Sequence, residues 1–191
     1  MIGVNETERL DELVREHLQK DGLPSHGWDH VQRTLRYALL IAREEHADLS
    51  ILVPAVLVHD IDRTAANHEE SDVARKLLTD AGFTQDRAAA ILDCVKSHST
   101  FSSAKPASTE QRILFDADKI ESLGPVGAAR FFMFAGENHW DLKTALQKAQ
   151  DRISEIGKRG PCTREGSKLS AEKAKWSLEF FRWLAEEVAN Q

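Results

Sequence analysis

The sequence predicts an all-α protein organised as one domain over residues 1–191. Three observations carry that prediction. Apolar residues recur at helical spacing along most of the chain. Segments of alternating polarity, with the turn pairs that would fold them into hairpins, are absent. The length of 191 residues is close to one domain, at about 150 residues each.

The elements follow in order. Leu10, Leu13, Val14 and Leu18 fall at i, i+3, i+4 and i+8, the stripe of an amphipathic helix. A second helix starts near Ser25 and carries Val31, Leu35, Leu39 and Ala42 on one side. The run ILVPAVLVHDI is apolar all round and reads as a buried strand or a buried helix. Helix is preferred, because its neighbours are helical and no partner strand exists elsewhere. Pro54 cannot donate a backbone hydrogen bond, so the helix proper is expected to begin close to it. Asn67 with Glu70 forms a capping-box pattern for a helix through Val73, Leu77 and Leu78, closed by Gly82. Thr84 caps the next, with Ala88, Ile91, Leu92 and Val95 inside. Ser108 with Gln111 opens a helix carrying Ile113, Ala117 and Ile120.

Gly124-Pro125 breaks the chain and restarts it, since proline suits a first helical turn. Leu142, Leu146, Ala149, Ile153 and Ile156 mark a helix over 141–156. GKRGPCTREGSK, residues 157–168, reads as a linker rich in glycine and basic residues. The last helix, 170–189, takes Ser170 as cap and Trp176, Phe180, Leu184 and Val188 as its buried face.

Composition narrows the function. The formal charge of −6 disfavours a nonspecific binder of nucleic-acid backbone. The longest apolar run, Ile51 to Val58, is too short for a bilayer, which needs roughly 20 residues, so no membrane partner is expected. MIGVNETERLDELV lacks a basic segment followed by an apolar one, so the expectation is a cytoplasmic protein. Cys94 and Cys162 stand far apart with no CxxC, which indicates neither a disulfide framework nor a thiolate zinc site.

Chemistry concentrates in the histidines and in two groups of acids. His17, His46 and His139 sit in charged or inter-helix stretches and read as surface residues. His59-Asp60 closes the apolar run, where a carboxylate is costly unless it is paired or bound to a metal. Asp116 and Asp118 interrupt an apolar helix pattern, and Asp118 sits at the edge of the Ile113, Ala117, Ile120 stripe. His30 neighbours the Val31 stripe and shares a face with Thr34. Taken singly, each reads equally well as a helix end, a surface acid or a hydrogen-bonded core histidine.

Taken together they resemble a known pattern. His30 with Arg33 in SHGWDHVQRT, then LVHDIDR with His59-Asp60, then DADKIESLGPVGAARFF with Asp118, is similar to the HD-domain superfamily of metal-dependent phosphohydrolases. The likeness is closest to a bacterial subfamily of small HD hydrolases whose segments run GHDWWHxxRV and DADRLDAIGAIGIARTF. It covers residues 24–135, and the family's helical bundle agrees with the periodicity.

The resemblance implies a divalent ion (Mn, Fe, Co, Ni, Zn or Mg) held by His30, His59, Asp60 and Asp118. Two imidazoles and two carboxylates suit such ions. His26 lies four residues before His30 and competes as a ligand, or touches substrate. Asp116 is the alternative to Asp118, read rather as a supporting carboxylate. His68 and His98 stand where two-metal relatives place added histidines, giving one or two ions per chain with Asp60 bridging. At helix ends they read equally well as charges that favour the helix dipole.

The implied activity is hydrolysis of a small phosphoester, a nucleotide or related phosphomonoester, by metal-activated water. Arg33, Arg63 and Lys119 are candidates for the phosphate, and Glu69 for proton transfer. Partners are then a small phosphorylated substrate and, at most, a second copy in a homodimer. Two other readings keep the site. One is a diiron oxygenase of the myo-inositol oxygenase type, the other a non-catalytic sensor or binding module.

Overall fold

The structure, a computed structural model, describes residues 3–21, 23–61, 72–99, 102 and 105–189. It is all-α. The helices are α1 (Gly3–Asp21), α2 (Trp28–Glu45), α3 (Leu49–Val58), α4 (Asp72–Asp80), α5 (Gln85–Val95), α6 (Thr109–Glu121), α7 (Gly124–Glu137), α8 (Leu142–Arg159) and α9 (Arg164–Ala189). A 3-10 turn, Pro24–His26, leads into α2. The described residues contain no strand. No helix among them is long and apolar enough to cross a membrane.

Local chemistry sets most boundaries. Ser108 and Gln111 form the expected capping box at the start of α6. Thr84 accepts the Arg87 N–H at the start of α5. Gly82 ends α4 in the left-handed region at φ +101°, where a side chain would be strained. The Asn67 and Glu70 pair lies outside the described residues.

Two boundaries differ from the sequence reading. α3 begins at Leu49, capped by Asp48, which leaves Pro54 inside the helix rather than at its start. Proline removes the donor that would serve the Ser50 carbonyl four residues back. The guanidinium of Arg87 donates to that carbonyl at 3.4 Å instead, so the interruption is compensated from α5.

α9 begins at Arg164, so only residues 160–163 separate it from α8, and most of the expected 157–168 linker is helical. Its first turn is anchored by Asp116. That carboxylate accepts the backbone N–H of Cys162 and of Thr163, each at 2.8 Å, and the Thr163 hydroxyl at 2.6 Å. Thr163 Oγ1 in turn accepts the Gly166 N–H, so Thr163 takes the capping role assigned to Ser170. The buried face is also displaced. Ser177 and Phe181 are buried, Trp176 is 36% exposed, and Phe180, Leu184 and Val188 are half-buried.

Two apolar clusters result. The larger is built by α1 to α6, with Leu10, Ile41, Leu52, Leu78, Ile91 and Ile113 fully buried. The smaller joins α7, α8 and α9 through Ala128, Leu146, Ala149 and Phe181. α6 lies between them and packs on α2, α3 and α9. Every residue from Ile113 to Glu121 is therefore buried. Its acids and Lys119 must find partners inside the protein.

Candidate metal centre

Four segments supply the site. His30 comes from the first turn of α2, His59 and Asp60 from the end of α3, His98 from just beyond α5, and Asp118 from α6. A ligand atom from each of His30, His59, Asp60 and Asp118 lies within 4.8 Å of the others, and all four residues are buried. The cluster could hold a metal ion. His30 Nε2 is 3.1 Å from His59 Nε2, 3.2 Å from Asp60 Oδ2 and 3.8 Å from Asp118 Oδ1.

The other ring nitrogens explain how the imidazoles are aimed. His59 Nδ1 donates to the Val56 carbonyl at 2.7 Å. His98 Nδ1 donates to the Val95 carbonyl at 2.7 Å. His30 Nδ1 lies 3.1 Å from the Glu121 carboxylate. A neutral imidazole with its proton on Nδ1 presents a lone pair at Nε2, the form that binds metals. Burial favours that neutral form. It lowers the His30 pKa and, against the opposing pull of Asp60, lowers that of His59 to about 4.

With its proton on Nδ1, His59 therefore turns an Nε2 lone pair toward His30 and lies beside the two carboxylates. Among the described residues, Lys119 Nζ donates to Asp118 Oδ2 at 2.5 Å and offsets part of the negative charge. Burial alone would raise the Asp118 pKa, but the Lys119 ammonium outweighs it and holds the carboxyl well below its usual range. Burial likewise lowers the Lys119 pKa despite Asp118. The donor set is nitrogen and oxygen without thiolate, and it fits a divalent ion of borderline or hard character.

The remaining sequence candidates divide. His98 Nε2 is 3.4 Å from Asp60 Oδ1, the oxygen other than the one nearest His30. His26 is buried beside the quartet, its ring edge-on to His30, with Nδ1 2.7 Å from Ser25 Oγ. Arg33 is held by Glu121, Nε to Oε1 at 2.8 Å. Asp116 points away from the centre, to α9. Arg63, His68 and Glu69 lie outside the described residues.

Sequence reasoning missed the polar groups behind the quartet. Glu121 is buried and meets His30, Arg33 and Arg130. Arg130, from α7, also donates through Nε to the Ser25 carbonyl at 2.6 Å. Glu137 receives the Ser25 N–H and hydroxyl. One signal was available, since Glu121 follows Asp118 by three residues and shares its helix face. Behind His26, Arg130 and Arg152 line a cavity of about 40 Å³ with Phe131 and Phe134.

An all-α bundle with a buried centre of two histidines and two aspartates defines a recognisable class. Residues 27–123 match the HD domain model, and the chain belongs to the HD domain family. It is 29% identical over 199 residues to YpgQ of Bacillus subtilis, covering 98% of this chain and 96% of that protein. The crystal structure of YpgQ superposes with a TM-score of 0.76 at 25% identity, covering 98% of each chain. YpgQ has also been solved in complex with ADP, a structure that matches with a TM-score of 0.69 at 24% identity, over 93% of this chain and 97% of that one. A predicted HD superfamily hydrolase from an uncultured Thermotogales bacterium matches with a TM-score of 0.63 at 28% identity, over 94% and 91% of the two chains.

Proposed function

We propose that this chain is a metal-dependent phosphohydrolase acting on a small phosphoester of the nucleotide type. The observation that carries the reading is the mutual approach of His30 Nε2, His59 Nε2 and the Asp60 and Asp118 carboxylates, with the His59 proton directed to the Val56 carbonyl. Such a cluster is repulsive by itself and is relieved by a cation. A divalent ion there supplies Lewis-acid polarisation of a phosphoryl oxygen and acidifies a water.

The chain's own groups take the remaining roles. Two imidazoles and two carboxylates hold the ion. Lys119 sits at the edge of the quartet, where an ammonium can meet a phosphate oxygen. His26 borders the cavity next to His30, on the side where the rest of a substrate would lie. Arg33 is committed to Glu121, so its contact with substrate would run through its half-exposed outer edge. The two oxygens of Asp60 face His30 and His98 separately, which supports Asp60 as a bridge when a second ion binds. ADP bound to the related YpgQ supports a nucleotide as the substrate class.

The test is metal analysis of the purified protein, then a hydrolysis screen across nucleotides and sugar phosphates with Mn or Mg. Turnover that chelation abolishes is expected. A metal-loaded protein that hydrolyses none of them, or that holds iron and consumes dioxygen, contradicts the reading.

A further inference from the structure

His30 reaches the proposed centre with one nitrogen, and what its other nitrogen touches decides whether that reach is useful. His30 Nδ1 is 3.1 Å from Glu121 Oε2 and 3.4 Å from Thr34 Oγ1. The Thr34 contact has hydrogen-bond geometry, whereas Glu121 is an ion-pair contact whose nearby negative charge favours a proton on Nδ1. Glu121 is 1% exposed, so water cannot replace the contact.

The carboxylate is itself fixed from two elements. Arg33, one turn after His30 on α2, donates through Nε to Oε1 at 2.8 Å. Arg130, from α7, donates through Nη1 to Oε2, the oxygen that also faces His30. Arg130 is held in turn by the Ser25 carbonyl in the turn before α2. Two guanidinium groups compensate the buried charge, and together they leave the carboxylate one position. Glu121 and Asp118 lie three residues apart on α6, so one helix face presents an acid to the centre and another behind it.

We propose that Glu121 is a positioning residue for the metal centre: it accepts the His30 Nδ1 proton and so turns His30 Nε2 toward the ion, with Arg33 and Arg130 clamping its carboxylate. The inference rests on the proposed metal centre. It assigns Arg33 and Arg130 to that clamp rather than to the phosphate. An acceptor behind a ligating histidine fixes both tautomer and ring orientation, and losing it typically costs about 10–100-fold in metal affinity.

The test has two parts. In metal-free wild-type protein with ¹⁵N-labelled histidine, long-range ¹⁵N–¹H spectra should show His30 neutral with its proton on Nδ1. Cobalt(II) titration should then give E121M an affinity about 10–100-fold below wild type, and E121Q one within a few-fold, because the amide oxygen can still accept the Nδ1 proton. A proton on His30 Nε2 overturns the proposal, as does an E121M chain that binds cobalt like wild type. If E121M fails to fold, the wild-type tautomer decides. A wild-type chain with His30 in the Nδ1–H form that binds no metal contradicts the metal reading instead.

Discussion

His30 Nε2 and His59 Nε2 stand 3.1 Å apart, while a carboxylate or a carbonyl lies behind each ring on Nδ1. With both protons on Nδ1, neither imidazole donates to the other. The pair stays together because α2, α3 and α6 pack around it, and their apolar burial outweighs the local repulsion. An ion between such groups removes the repulsion and adds bonds. Metal binding should therefore stabilise the protein.

Removing Asp60 and removing Lys119 should have different effects. Asp60 lies within 3.2 Å of His30 Nε2, whereas Lys119 donates to Asp118 and lies over the Phe115 ring. Asp60→Ala should lose its ion and lower activity by more than about 100-fold, beyond what loss of a supporting partner costs. Lys119→Ala should keep its ion and lose activity to a smaller degree. Metal content by elemental analysis, paired with initial rates, checks both. Unchanged metal in Asp60→Ala would sink the ligand assignment.

Acid should destabilise the metal-free protein in a defined window. Burial lowers the His59 pKa from its ordinary value near 6.5 to about 4, and that of His30 in the same direction. Between those limits the unfolded chain binds more protons than the folded one, so stability falls as pH drops from about 6.5 toward 4. His59 alone contributes on the order of 3 kcal/mol at full protonation. Thermal melting of the apo protein at pH 7 and pH 5 checks the sign. A His59→Gln variant should show a smaller fall, and an equal fall would remove His59 as the cause.

Gly166→Ala should destabilise the chain without touching the centre. A Cβ at that position would meet Asp116 Oδ2 at 2.2 Å, and the carboxylate is held by three donors from residues 162 and 163. Forcing such an overlap costs about 1–3 kcal/mol. The melting temperature should fall while cobalt affinity of the folded fraction stays unchanged. An unchanged melting temperature would mean that the first turn of α9 yields at no cost.

The same contact shows where the sequence stopped being legible. Ser108 and Gln111, or Thr84, announce a helix start within four residues, because both partners lie on one short segment. α9 starts just after Thr163 because Asp116, 47 residues before that threonine, holds it, and no local pattern records that pairing. Ser170 was the nearer cap in sequence and is bypassed. The buried face of α9 moved with it, from Phe180 to Phe181. At the centre, His30, His59, Asp60 and Asp118 were readable because they fall in motif segments. Glu121 and Arg130 lie in the last of those segments, but their meaning depends on packing between α2, α6 and α7. Arg33 reads from sequence as a candidate for the substrate phosphate, whereas folding places it on Glu121.

Metal stoichiometry should distinguish one ion from two. His98 presents Nε2 to the Asp60 oxygen that does not face His30, the position expected for one ligand of a second ion. Elemental analysis of wild type and His98→Ala should show a fall from two ions to one, with the quartet ion retained. One ion in both proteins would restrict His98 to a contact with Asp60 or with substrate.

The most direct measurement is the anomalous difference density of a crystal grown with manganese or cobalt, collected at that metal's absorption edge. The account predicts a peak bonded to Nε2 of both His30 and His59 and to one oxygen each of Asp60 and Asp118, at about 2.0–2.2 Å. A crystal saturated with the metal that shows no peak among these four side chains would contradict it, as would a peak that excludes either histidine.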